Sequence, residues 1–217
     1  MKILNKILIV STITALCLSG SLANEGSSNF VPISKGVKSI DISLNDENFT
    51  IMRNQSKTNK ISPLYETTFR GIPQPMILSK GVETVGELEF IDFMKKAQSD
   101  KNITIVDSRK PGWFAKLRIP GAINIPYTGF SDKDSAIEAM EDDLDVIEKE
   151  DGTLDFSKAK VIVAYCNGYW CGQTPAMIKN SNFSLLNMGY PASKIKYYRG
   201  GMQAWTSLGF TVTSDEN

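Results

Sequence analysis

The sequence predicts an α/β domain, a mostly parallel sheet flanked by helices, preceded by a small N-terminal extension that contains β structure. From Gly81 onward, short apolar runs alternate with stretches of helical period, the pattern of strand–helix units. The run Val161–Tyr165 is apolar without alternation, which marks a strand covered on both faces. It stops at Cys166 and passes through Asn167, Gly168, Tyr169, Trp170, Cys171, Gly172 and Gln173 into Thr174-Pro175, read as an N-cap and a first-turn proline.

The elements follow in order. Lys2 and Lys6, an apolar core over 7–18 and the small-residue end Ser21-Leu22-Ala23 predict a signal peptide, residues 1–23, cleaved after Ala23. The core is shorter than the roughly 18–20 residues a membrane span needs. Leu16 before Cys17 argues against lipidation there. The expectation is an exported chain, periplasmic or extracellular, of bacterial origin, with no stable membrane association after cleavage. Residues 24–80 are polar and interrupted by prolines at 32, 63, 73 and 75, and form an extension whose role stays open. Inside it, Ile40-Asp41-Ile42-Ser43-Leu44 and Phe49-Thr50-Ile51-Met52 flank Asn45-Asp46-Glu47-Asn48 as a hairpin would.

The main domain is expected over 81–217. Its first helix, 87–96, places Leu88, Ile91 and Met94 on one face; a strand over 103–106 then ends at Asp107, and a short strand covers 122–125 after Pro120-Gly121. Ile137, Met140, Leu144 and Ile147 give a helical stripe over 135–148, with its many acids on a solvated face. After the Cys166 strand come a helix from Pro175, a strand over 195–198, a helix over 202–208 and an apolar stretch at 210–212. No internal repeat is present.

Composition removes whole classes of function. Lys plus Arg and Asp plus Glu balance at 24 each over 217 residues, and no basic block exists, so neither nucleic acid nor an anionic membrane is an expected partner. The chain has no histidine, which excludes Ser-His-Asp and Cys-His activation and every imidazole metal site. Of three cysteines, Cys17 falls in the leader, leaving Cys166 and Cys171. No metal or cofactor is expected. A thiol where a strand gives way to a loop and helix start sits among backbone N–H groups and near a positive dipole end, which favour the nucleophilic thiolate.

Residues 82–212 resemble the rhodanese family of sulfurtransferases at several separate places in the right order. Val106-Asp107-Ser108-Arg109 is similar to its strand-end Asp-x-Arg, and Ile119-Pro120-Gly121-Ala122 to its Ile-Pro-Gly-Ala segment. Tyr198-Arg199-Gly200-Gly201-Met202-Gln203-Ala204-Trp205 is similar to its Gly-Gly-x-x-x-Trp end piece, and Cys166 falls where the family carries its sulfur-accepting cysteine. The extension and the Cys-Asn-Gly start of the loop resemble an exported, single-domain subgroup. The resemblance implies that Cys166 accepts a sulfane sulfur as a persulfide and passes it to a thiol or cyanide. It implies small sulfur compounds or thiols as partners, with a redox protein as a further candidate. Asp107 and Arg109 would brace the site, while Asn167, Gly168 and Gly172 tolerate the backbone angles that a cradle of N–H groups requires.

The departures matter as much. Cys171 stands where the family's loop often carries Arg, and no Lys or Arg lies between Lys160 and Lys179, which counts against a dianionic donor such as thiosulfate. Gly172 stands where phosphatases of this fold need arginine, which excludes them, and Arg118 replaces a histidine before Ile-Pro-Gly. For Cys171 a reversible disulfide with Cys166, a resolving thiol and a structural disulfide all stay open. Tyr169 and Trp170 either line a substrate pocket or cap the core. The alternative functions are a thiol–disulfide redox protein using the Cys166/Cys171 pair and a catalytically silent binding module.

Overall fold

The computed structural model describes residues 30–66 and 71–216. The expected signal peptide and Cys17 lie outside the described residues. Strands β1 (Ser39–Leu44) and β2 (Glu47–Met52) pair antiparallel. Their turn is only Asn45 and Asp46, both at positive φ (50° and 62°), the mirror-image turn that matches strand twist. Glu47 and Asn48, expected in the turn, belong to β2. Ile42, Leu44 and Ile51 point inward and are buried, each contributing about 1.5–3 kcal/mol of apolar burial.

The main domain continues with β3 (Glu83–Val85), α1 (Glu87–Ala97), β4 (Ile103–Asp107), α2 (Pro111–Lys116), β5 (Ile123–Asn124) and α3 (Lys133–Leu144). A small antiparallel pair, β6 (Ile147–Glu148) and β7 (Leu154–Asp155), leads to β8 (Val161–Tyr165), α4 (Gln173–Pro175), β9 (Ile195–Tyr198) and α5 (Gly201–Ser207). Five strands form one sheet in the order β3-β9-β8-β4-β5, every pair parallel. Strand β8 is central, and its residues 162–165 are buried on both faces, as its unbroken apolar run requires.

Each face of the sheet has its own core. Phe90, Met94, Ile105, Val163, Tyr165 and Trp205 pack with the hairpin's Ile42, Leu44 and Ile51 on one side. Val106, Phe130, Met140, Leu144, Ile162 and Met177 pack on the other. The extension therefore shares the main core.

Three expectations need correction. In α1 the buried face is Phe90, Ile91, Met94 and Ala97, while Leu88 is exposed, because the face is set by Phe90, Met94 and Ala97 at helical spacing and Leu88 falls to its side. Helix α3 stops at Leu144, where Asp145 turns left-handed (φ 54°), so Ile147 leaves the stripe and lies exposed in β6. Thr174 does not cap a helix; its hydroxyl lies 2.7 Å from that of Ser108, and α4 runs on as a π-helical turn, Ala176–Asn180. Arg118, in the histidine position, donates to Asp215 (2.6 Å) and Glu47 (2.9 Å) over the Phe114 ring, joining hairpin to C-terminal segment.

Candidate active site

The carboxyl ends of β8, β4 and β9 meet at one place, the end of a parallel sheet where ligands ordinarily bind. Cys166 leaves β8 directly, and the loop to Cys171 folds back on itself, with the Cys171 N–H donating to the Gly168 carbonyl at 2.9 Å. The start of α5 presses against it: Met202 N–H donates to the Cys166 carbonyl (3.0 Å) and Gln203 N–H to that of Asn167 (2.9 Å). This contact demands glycine at Gly201, which has φ +54° and whose added Cβ would lie 2.3 Å from the Cys166 carbonyl oxygen. Gly168 is held likewise, its added Cβ meeting Gln203 at 2.9 Å.

Both sulfurs are buried and both are free thiols, so the structure describes the reduced pair and no disulfide. Cys166 Sγ donates to the Cys171 carbonyl at 3.5 Å. Burial, with the adjacent Cys171, pushes the Cys166 thiol well up, against opposing hydrogen bonds from Thr174. The Cys166 thiol donating to it holds Cys171 down at about 7, helped by the Gln173 and Asn167 N–H groups and the Arg109 charge against its own burial. The loop N–H groups expected to activate Cys166 thus serve Cys171 in this arrangement. The two thiols act as one unit that readily carries one negative charge.

Asp107 and Arg109 reach the loop, as their strand-end position suggests. Arg109 is fully buried and forks onto Asp107, Nε to Oδ1 at 2.9 Å and Nη2 to Oδ2 at 2.6 Å. Burial works against its charge, but the Asp107 hydrogen bonds and charge outweigh this and keep it protonated. Its Nη1 donates to the Tyr65 hydroxyl (2.6 Å) and to Asn167 Oδ1 (3.4 Å), and Tyr65 in turn donates to that Asn167 oxygen at 3.3 Å. A buried bidentate ion pair thus anchors the second residue of the loop.

Tyr65 and Gln74, from the extension, were not found from the sequence. Gln74 N–H donates to the Tyr169 carbonyl (2.6 Å), its side-chain amide to the Trp170 carbonyl (3.3 Å), and its own carbonyl accepts from Arg199 Nε (2.7 Å). The extension therefore lies over the cysteine loop. Tyr169 is 40% exposed, its ring beneath the Arg199 guanidinium at 5.1 Å, so it faces outward while Trp170 is half-buried. Gly172 and Gln173 follow, Gly172 exposed and close to Gln74. Ser108, Thr174 and the buried, unpartnered Tyr197 hydroxyl complete the polar surroundings.

Beside the loop a cleft of about 220 Å³ is lined by Met76, Glu87, Tyr169, Tyr198 and Arg199 among others. A larger cavity, about 700 Å³, lies at the other end of the sheet near Asn102, Val161 and Lys194, away from the cysteines. Among the described residues no group of three or more Cys, Asp or Glu side chains is placed to hold a metal, and no helix is long and apolar enough to cross a membrane.

The profile of the Rhodanese-like domain matches residues 91–208. The chain is 30% identical over 133 residues to thiosulfate:glutathione sulfurtransferase of Saccharomyces cerevisiae, covering 60% of this chain and 85% of that one. Among solved structures, a Bacillus halodurans protein aligns at TM-score 0.43 and 22% identity, covering 61% of this chain and 77% of that one. Thiosulfate sulfurtransferase from Pseudomonas aeruginosa aligns at TM-score 0.42 and 16% identity, covering 63% of this chain and 21% of that one.

Proposed function

Because this chain belongs to the Rhodanese-like domain family, we propose that it is a sulfurtransferase in which Cys166 carries the sulfur. The observation that carries the reading is the buried Cys166/Cys171 pair at the head of β8, poised to hold one negative charge beside Arg109. The pair's remaining proton passes from Cys166 to the Cys171 thiolate as Cys166 Sγ attacks the sulfane sulfur of a donor. The donor's sulfur–sulfur or sulfur–heteroatom bond breaks, its electrons leave with the donor, and Cys166 becomes a persulfide. An acceptor thiolate or cyanide then takes the outer sulfur and Cys166 departs as thiolate. Both displacements close without an outside oxidant or reductant.

Cys171 is the resolving partner. Its thiolate attacks Cys166 Sγ in the persulfide and releases hydrosulfide, leaving a disulfide that an external thiol or redox protein reduces. The second reading, a thiol–disulfide redox protein, is favoured by the same sulfur–sulfur contact, and a silent binding module remains the third. Thiosulfate, named for the yeast relative, belongs among the donors to test. Export with cleavage after Ala23, to a periplasmic or extracellular space, completes the reading.

Intact-protein mass spectrometry after incubation with thiosulfate or polysulfide tests it, with Cys166→Ser and Cys171→Ser alongside. A gain of one sulfur mass that Cys166→Ser abolishes is expected. Loss of two hydrogens with no sulfur gain assigns the chain to redox exchange, and no change in either assay assigns it to binding.

A further inference from the structure

We infer that the cleft beside the cysteine loop binds the zwitterionic head of an α-amino-acid thiol, Arg199 taking the carboxylate and Glu87 the ammonium. The inference rests on the sulfur-transfer reading and names the acceptor class for it.

Sheet register places the groups. Tyr165 of β8 pairs with Tyr198 of β9, and Tyr198 pairs with Val85 of β3. Cys166 and Arg199 are the next residues along, so they leave neighbouring parallel strands at the same level, with strands about 4.8 Å apart. Glu87 follows Val85 by two residues on the far side of Arg199. A cation and an anion thus stand in sequence from the sulfur-bearing residue outward, at the carboxyl end of the sheet.

The side chains are held for this use. Arg199 is half-buried, with Nε spent on the Gln74 carbonyl and its face on the Tyr169 ring, which fixes the guanidinium at the cleft wall. Glu87 is half-buried and accepts from the Tyr198 hydroxyl at 3.1 Å through Oε1. Tyr169 lines the same cleft under the Arg199 guanidinium, its hydroxyl pushed up chiefly by burial, with Glu87 raising and Arg199 lowering it. Met76 closes an apolar side against which a methylene can lie. About 220 Å³ admits a molecule of amino-acid size, and neither charge is paired with the other in the described contacts. In the transfer the bound thiolate attacks the outer sulfur of the Cys166 persulfide. The persulfide bond breaks, Cys166 keeps its electron pair, and the amino-acid thiol leaves as the new persulfide.

The test uses the chain with residues 24–217 and four thiols that differ in charged groups: L-cysteine, 3-mercaptopropionate (no ammonium), cysteamine (no carboxylate) and ethanethiol (neither). Half-saturating concentrations for sulfur transfer are measured for wild type, R199Q and E87Q. The expected pattern is crossed. R199Q raises the value roughly ten-fold or more for cysteine and mercaptopropionate above any change for cysteamine, and E87Q does so for cysteine and cysteamine above any change for mercaptopropionate, the size of a lost charge-assisted hydrogen bond. An equal change for all four thiols overturns the proposal. Calorimetric titration with S-methyl-L-cysteine, which cannot accept sulfur, separates the two readings. Binding weakened by both variants while no thiol receives sulfur supports the cleft and removes the transfer reading. Transfer to every thiol with no S-methylcysteine binding removes the cleft and leaves transfer standing.

Discussion

Cys171, not Cys166, carries the lowered pKa in the reduced pair, and the cause is a hydrogen bond that one substitution removes. Its value falls from 9.0 to about 7 first because the Cys166 thiol donates to it. Cys166→Ala deletes that donor, so the Cys171 thiolate should form at higher pH, moving back toward the usual cysteine range. Ultraviolet titration of thiolate absorbance checks this, and an unmoved transition near pH 7 contradicts it. Gly201 offers a second residue-scale prediction. Gly201→Ala forces a Cβ to within 2.3 Å of the Cys166 carbonyl oxygen and puts alanine in a left-handed position. A loss of about 2–4 kcal/mol is expected in denaturant unfolding, together with displacement of the cysteine loop.

At the scale of elements, the buried Asp107–Arg109 pair ties β4 to the β8 loop and to Tyr65. Arg109→Lys keeps the charge but cannot fork onto Asp107 while also reaching Tyr65 and Asn167. It should cost about 3–5 kcal/mol, as for a broken buried pair, and raise the Cys171 pKa because the compact ammonium withdraws from the loop. Tyr65→Phe is gentler, about 1–3 kcal/mol for an orphaned buried donor, both changes being read from urea midpoints. What the sequence conveyed about these elements follows physical rules. Val161–Tyr165 was legible because a strand buried on both faces needs no alternation, and Asp107 and Arg109 because a strand end in a parallel sheet faces the site. Leu88 was misplaced because α1 turns Phe90, with Met94 and Ala97, into the core instead. Tyr65 and Gln74 were invisible: Tyr65 meets Asn167 across 102 positions of chain, and no local period records such a contact.

For the molecule as a whole, the extension shares the core on one face of the main domain's sheet and covers the cysteine loop. Gln74 joins Tyr169, Trp170 and Arg199, so Gln74→Ala loses only its one side-chain hydrogen bond, to the Trp170 carbonyl, while the backbone strap to Tyr169 and Arg199 stays. A gain of roughly two- to twelve-fold in the rate at which a thiol-alkylating reagent reaches Cys166 or Cys171 is expected, since one such hydrogen bond contributes about 0.5–1.5 kcal/mol. Starting the chain at residue 81 instead removes Ile42, Leu44 and Ile51 from the core. That shortened chain should unfold at markedly lower urea and bind a hydrophobic dye, and a cooperative transition at the full-length midpoint would contradict the shared core.

The closing of the hairpin onto the last residues has a consequence in time. Arg53 bridges to Phe210, Arg118 to Thr213 and Asp215, and edge strand β3 has no partner until β9 exists. Pairings this distant in sequence form slowly, and a chain emerging N-terminus first holds no complete five-stranded sheet until β9 is free. The cysteine loop packs on the start of α5 and Arg199 lines the charged cleft, so both are completed only when this part of the domain joins the sheet.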